Sequence, residues 1–147
     1  MRLSKNFTLS ELTRSQTAIR RGIDNTPGDE QIKNLERVCS EILQPVREHF
    51  GVAFSPSSGF RSVALCEAIG SNSKSQHAKG EAVDFEIPGQ DNKSVAEWIR
   101  DNLNFDQLIL EYYTPEDPTS GWIHCSVKEY SNRMECLVYD GKSYSRF

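Results

Sequence analysis

With 147 residues, 37% hydrophobic and 26% charged, the chain is long enough to bury a core without disulfide or metal staples, and its composition argues against a disordered or fibrous protein. A net charge of -4 gives no basic face for phosphates, so nucleic acid is not an expected partner. No apolar run reaches membrane-spanning length, and the opening MRLSKNFTLSELT lacks the apolar stretch of a signal peptide; cytoplasmic synthesis and no membrane association are expected.

One domain over residues 1–147 is the simplest organisation, because there is no internal repeat, low-complexity tract or linker-like stretch. Near the start, Thr8 stands three residues before Glu11 in the capping-box pattern, which predicts a short helix there. Beyond the turn-prone DNTPGD, residues 30–51 carry Ile32, Leu35, Val38, Ile42, Leu43 and Val46 at helical spacing, with Pro45 expected to kink the helix and Gly51 to stop it. A short strand, VAFSPSS at 52–58, and a second short helix in GFRSVALCEAIG are expected next.

From residue 82 the pattern alternates: Ala82, Asp84 and Glu86 point one way, Val83, Phe85 and Ile87 the other, which sets Asp84 on a strand facing away from the apolar side. NKSVAEWIRDNL reads as a helix with Val95, Trp98, Ile99 and Leu103 as its buried stripe. Strands are predicted at 105–113 and 122–127, the second sending Ile123, Cys125 and Val127 to one face and Trp122, His124 and Ser126 to the other. A closing hairpin over CLVYDGKSYS has an Asp140-Gly141 pair suited to a tight turn. These elements make an α+β fold, with helices packed on one side of a small, mainly antiparallel sheet. The four cysteines, Cys39, Cys66, Cys125 and Cys136, stand far apart without a C-x-x-C pair and are expected to be reduced core residues.

His77, Asp84 and His124 are two imidazoles and one carboxylate, the ligand count that a catalytic zinc uses while keeping one position open. Gly80 would let the chain turn tightly between His77 and the strand bearing Asp84. Spacing alone also allows a surface-loop histidine and a hydrogen-bonded strand histidine, because H-x6-D arises easily by accident.

The stretch SQHAKGEAVD resembles S-x-H-x-x-G-x-A-x-D, the first metal motif of the zinc D-alanyl-D-alanine peptidases, the fifteenth metallopeptidase family, which includes bacterial dipeptidases and phage endolysin peptidases. GWIH, whose histidine lies 40 residues after Asp84, is similar to the segment supplying their last ligand, and SGFRS to the stretch whose arginine binds substrate. NFTLSEL and ILQPVREHFG look like the single-domain phage and bacterial branch, so the likeness covers most of the chain. It implies Zn2+ held by His77, Asp84 and His124, with Arg61 and Ser75 at the substrate's terminal carboxylate or a nearby carbonyl. FDQLILE followed by HCSVK is also similar to the Hedgehog signalling domain, where the equivalent glutamate lies next to the zinc-bound water; this implies Glu111 as general base.

The chain departs from the family where some relatives carry an acid three residues before the last histidine, here Gly121, or a histidine two before, here Trp122. Glu81, Glu86 and Glu116 are weaker candidates for the base, and Trp122, Tyr112 and Tyr113 could line a cleft, with Trp122 the one assigned to substrate. His49 is expected to be structural. The implied activity is hydrolysis of the stem peptides of peptidoglycan, D-Ala-D-Ala carboxypeptidase-like, with no obligate protein partner evident. A zinc-containing peptidoglycan-binding or virion structural module is the alternative. Release from a phage-infected cell, carriage in a virion or cytoplasmic recycling would each bring a protein without a signal peptide to its substrate.

Overall fold

A computed structural model describes residues 1–147. Strands β1 (Arg2–Ser4) and β2 (Phe7–Thr8) pair in a small antiparallel ribbon that sequence patterning did not reveal. Thr8 then caps α1 (Leu9–Thr13) with the expected capping box: its hydroxyl accepts from the Glu11 backbone, and the Glu11 carboxylate accepts from the Thr8 backbone. A further short helix, α2 (Gln16–Arg21), starts at a Ser15 cap.

The long helical pattern is realised as α3 (Asp29–Val38) and α4 (Gln44–Phe50), joined by a π-helical turn over Cys39–Leu43. Pro45 explains the widened turn. Its ring lacks an N–H and would crowd the carbonyl four residues back in a regular α-helix, whereas here the Gln44 N–H reaches five residues back to the Cys39 carbonyl. Gly51 stops α4 in the left-handed conformation, as expected.

Residues 52–58 do not form the predicted strand. This segment lies along β3 with a single bridge, Ser58 opposite Asp84, where the Asp84 N–H donates to the Ser58 carbonyl at 2.8 Å and the Ser57 N–H donates to the Asp84 carbonyl at 2.9 Å. Pro56 cannot donate to a ladder, so the contact stays local. The short helices α5 (Val63–Ala68) and α6 (Gln76–Lys79) follow, then β3 (Ala82–Phe85), α7 (Asn92–Asn102), β4 (Gln107–Glu111), β5 (Trp122–Ser126), β6 (Glu135–Tyr139) and β7 (Tyr144–Arg146). The hairpin between β6 and β7 closes through residues 140–143, where the Asp140 side chain accepts from the backbone of Lys142 and Ser143.

The five-stranded sheet runs β3-β5-β4-β6-β7, antiparallel throughout except for the parallel pair of β4 and β6. Its inner face supplies Val83, Phe85, Leu108, Leu110, Ile123 and Cys125 to a core shared with Phe7, Leu12, Leu35, Ile42, Val95 and Ile99. Burying each Leu, Ile or Phe contributes roughly 1.5–3 kcal/mol. Cys39, Cys66 and Cys125 are buried thiols and Cys136 is half-buried, all four unpaired. The outer face of the sheet carries Asp84, His124, Gln107 and Glu111 together with Ile109 and Trp122.

Asp106, just before β4, is 1% exposed and holds several segments together. Its carboxylate accepts from the Arg133 backbone at 2.9 Å, from the Arg133 guanidinium at 2.8 and 3.1 Å, and from Gln76 Nε2 at 3.0 Å. Burial alone would raise this carboxyl, but the Arg133 hydrogen bonds and the Arg133 and Lys128 charges outweigh it and hold it at about 2. A carboxyl depressed in the fold stabilises it above the unfolded-state value of ~3.9, and that contribution disappears as pH falls toward 2. Asp106→Asn should therefore lower stability in urea at pH 7 by about 2–3 kcal/mol and flatten the dependence of stability on pH between 4 and 2.

Candidate metal centre

His77 sits in a helix of only four residues, so its position comes from its surroundings. The Ser75 hydroxyl caps α6 by accepting from the His77 backbone at 3.2 Å, the Arg61 N–H donates to the His77 carbonyl at 3.1 Å, and Gln76 is tied to Asp106. At the other end Gly80 turns the chain with φ 75°, and any side chain there would collide with α3, a Cβ lying 2.6 Å from the Gln31 carbonyl oxygen. The sequence-based reading of Gly80 as a tight turn thus holds for two reasons, conformation and close approach.

The His77 ring is 2% exposed, and its Nδ1 lies 2.8 Å from the Gly59 carbonyl oxygen. A carbonyl can only accept, so Nδ1 carries the proton and Nε2 is left with its lone pair. That Nε2 lies 3.4 Å from Asp84 Oδ1. Asp84 and His124 are direct partners across β3 and β5, and His124 Nδ1 lies 2.9 Å from the same oxygen. Burial would raise the Asp84 carboxyl, but the hydrogen bond from His124, with both imidazoles beside it, prevails and holds it well below the usual carboxylate range.

The donor set fits a metal ion. One ligand atom from each of His77, Asp84 and His124 falls within 4.8 Å of the others. Ligands ~2.0–2.1 Å from a tetrahedral zinc stand roughly 3.3 Å apart, close to the His77–Asp84 separation. The Gly59 carbonyl is the kind of outer partner that fixes the orientation of a ligating imidazole.

All seven residues singled out from the sequence line one cleft of about 590 Å³. Glu111 ends β4 opposite Trp122, two residue pairs beyond the His124–Ile109 pair and so on the same face. Burial and the neighbouring Asp84 charge push its carboxyl up, against the opposing pull of His124, the Trp122 N–H and Arg61. Two donors facing this cleft, Arg61 Nε and Trp122 Nε1, are buried without a regular hydrogen-bond partner in the protein. Arg61 also borders a second cavity of about 340 Å³ on its far side.

The weaker candidates lie elsewhere. Glu86 is exposed and accepts from Asn92, Glu81 lies 3.4 Å from the Gln76 amide, and Glu116 is in an exposed loop. Tyr113 donates to Asp91 at 2.8 Å, and His49 stacks on Trp98 with ring centroids 4.3 Å apart, in keeping with its expected structural role. Gly121 explains the missing acid at its position: with φ 67°, a Cβ there would lie 1.9 Å from the Glu111 carbonyl oxygen. Tyr144 reaches the cleft from β7, a placement the sequence does not signal, and Gln107 and Ile109 reach it through strand alternation with Glu111.

No curated protein matches the chain. The model of the family described as Peptidase M15 matches residues 5–126, a span that contains every residue of the cleft discussed above except Tyr144. By that match and by its His-Asp-His group, the chain belongs to the Peptidase M15 family of metallopeptidases.

Proposed function

We propose that the protein is a zinc peptidase that hydrolyses the short stem peptides of peptidoglycan, in the manner of a D-Ala-D-Ala carboxypeptidase. The observation that carries this reading is Glu111, a carboxylate with a raised pKa in the same cleft as a three-ligand metal set. A carboxyl raised above its ordinary value suits a group that must take up and release a proton in each turnover.

His77, Asp84 and His124 would hold the zinc, which when bound supplies Lewis acidity to water and to the scissile carbonyl. Glu111 takes a proton from the water that attacks the carbonyl carbon. As the C–N bond breaks, the same carboxyl returns that proton to the departing amine, so no covalent intermediate with the protein forms. Arg61 offers a planar guanidinium to the terminal carboxylate of the peptide. Because Ser75 Oγ already accepts from the His77 backbone, its hydroxyl proton is free to donate to a substrate carbonyl. The Trp122 ring walls the cleft beside Glu111.

A phage lysis protein, a virion component or a recycling enzyme would meet this substrate by different routes. The alternative, a zinc-bearing peptidoglycan-binding or virion module, would have no use for a carboxylate at the position of Glu111. Mass spectrometry of a muropeptide with a pentapeptide stem separates these readings: chelator-sensitive loss of one alanine supports the carboxypeptidase, an internal cut makes it an endopeptidase, and an intact stem with zinc present favours the binding module.

Glu111→Gln should keep its zinc and lose about 10²–10⁴-fold in kcat, since the amide cannot accept the proton. Full activity in that variant would remove Glu111 from the mechanism. Asp84→Ala leaves two imidazoles without the carboxylate that balances the ion's charge. Elemental analysis after gel filtration should show zinc reduced by at least ~10-fold, a loss that even outer-shell changes reach.

A further inference from the structure

The outer face of the sheet carries an aromatic row beside the metal cleft. The strand registers place Trp122, Glu111, Tyr139 and Tyr144 on one rung that crosses β5, β4, β6 and β7. Tyr112 joins the row although alternation should send it to the face opposite Glu111. Its backbone is left-handed, with φ 56°, and the ring packs on Trp122 at 5.1 Å and on Tyr139 at 5.5 Å between centroids. Tyr139 and Tyr144 stack at 4.5 Å, which extends the row to the sheet edge.

Holding a bulky residue in the left-handed region costs about 1–3 kcal/mol. Core burial does not offset that cost, because Tyr112 is 46% exposed. The strain therefore serves to keep an aromatic surface open to solvent.

The surface is continuous with the cleft, since Trp122 and Tyr144 both line it. Ser71, Asn72 and Gln76 line the cleft as well and add hydroxyls and amides to it. A cleft with a flat aromatic wall and a set of uncharged polar groups suits a ligand with an apolar face and hydroxyl or amide edges. A pyranose ring has that character: its axial C–H bonds stack on aromatic faces, and its equatorial substituents hydrogen-bond. A nucleotide could also stack, but Arg61 is the only basic side chain in the cleft apart from the histidines, and its partner there would be a carboxylate.

We propose that Trp122, Tyr112, Tyr139 and Tyr144 form a sugar-stacking subsite, so that the molecule entering the cleft is a glycopeptide with a pyranose ring on the aromatic wall. The peptide half of that ligand rests on the peptidase reading above; the sugar half rests on the row itself.

The test is a titration of the zinc-loaded protein with tri-N-acetylchitotriose, followed by the two indole N–H signals in 15N NMR spectra. Trp122 should shift saturably, while Trp98, stacked on His49, stays still. Tyr144→Ala should weaken binding by about 5- to 10-fold, as for loss of one aromatic contact. Tyr130→Ala, which removes a 76% exposed tyrosine outside the row, should bind as the wild type does. Tyr112→Gly releases the backbone strain, so it should keep the fold and still lose affinity. No saturable shift in the wild type, or equal affinity in the Tyr144 and Tyr112 variants, would overturn the subsite. Trisaccharide binding by a protein that cuts no stem peptide would keep the subsite and remove the peptidase. Cleavage of a stem peptide at equal kcat/KM with and without its sugar, together with no trisaccharide binding, would do the reverse.

Discussion

The pairing of β3 with β5 is the constraint on which the rest of the site depends. Asp84 faces His124 only because Val83 faces Cys125 and Phe85 faces Ile123 on the other side of the same two strands. A slip of one residue would turn Phe85 and Ile123 toward solvent and bury the aspartate, a loss of several fully buried side chains at once. The apolar core therefore sets the geometry of the His-Asp-His group, although none of its members lines the cleft. It also brings the carboxylate between two imidazoles, where the hydrogen bond from His124 offsets the cost of burying its charge.

His77 depends on a different set of forces. A four-residue helix has no stability of its own, so His77 is placed by a cap, the Gly59 carbonyl at its ring, the Arg61 N–H at its own carbonyl and the link from Gln76 to Asp106. Asp106 in turn joins the start of β4 to the 128–135 loop through Arg133 and through its own backbone bonds to Ser126 and Glu135. Two adjacent residues in sequence, Gln76 and His77, thus divide the work: one anchors to the sheet and the other reaches the cleft. The buried Asp106 carboxylate, bonded by the half-exposed Arg133, makes sense as a device for position, since it ties Gln76, β4 and the segment before β6 to one point.

Much of this was legible in the sequence where periodicity reports directly on burial. The alternation of Val83, Phe85 and Ile87 and of Ile123, Cys125 and Val127 predicts which face holds Asp84 and His124, and the structure agrees. The helical stripe of residues 30–51 was equally visible, but the π-turn was not, because it is a compromise between Pro45 and continued packing of Ile42 and Leu43. Residues 52–58 alternate apolar and polar side chains like a strand yet pair with the β3 edge at a single bridge, which only the tertiary fold could show. Asp106 escaped notice for a similar reason: its partners Gln76 and Arg133 are 30 and 27 residues away and share no pattern with it. Tyr144 reaches the cleft through the register of a hairpin added to the sheet edge, a placement no local signal encodes.

The corner that ends β4 shows how one backbone feature serves chemistry and recognition together. Asp84 and Glu111 are neighbouring carboxyls whose environments push them apart, the first held ionised between two histidines and the second raised by burial and by the first one's charge. Both carboxyls line the same cleft, and no hydrogen bond joins them. The strand ends at Glu111. Gly121 crosses so close to the Glu111 carbonyl that no side chain fits, and Tyr112 turns left-handed immediately after. Because that turn breaks the alternation, Glu111 and Tyr112 share a side of the sheet, and the proposed proton carrier stands at the start of the aromatic row rather than behind it. A substrate lying along the row would be led to the carboxylate by the same strain that exposes the tyrosine.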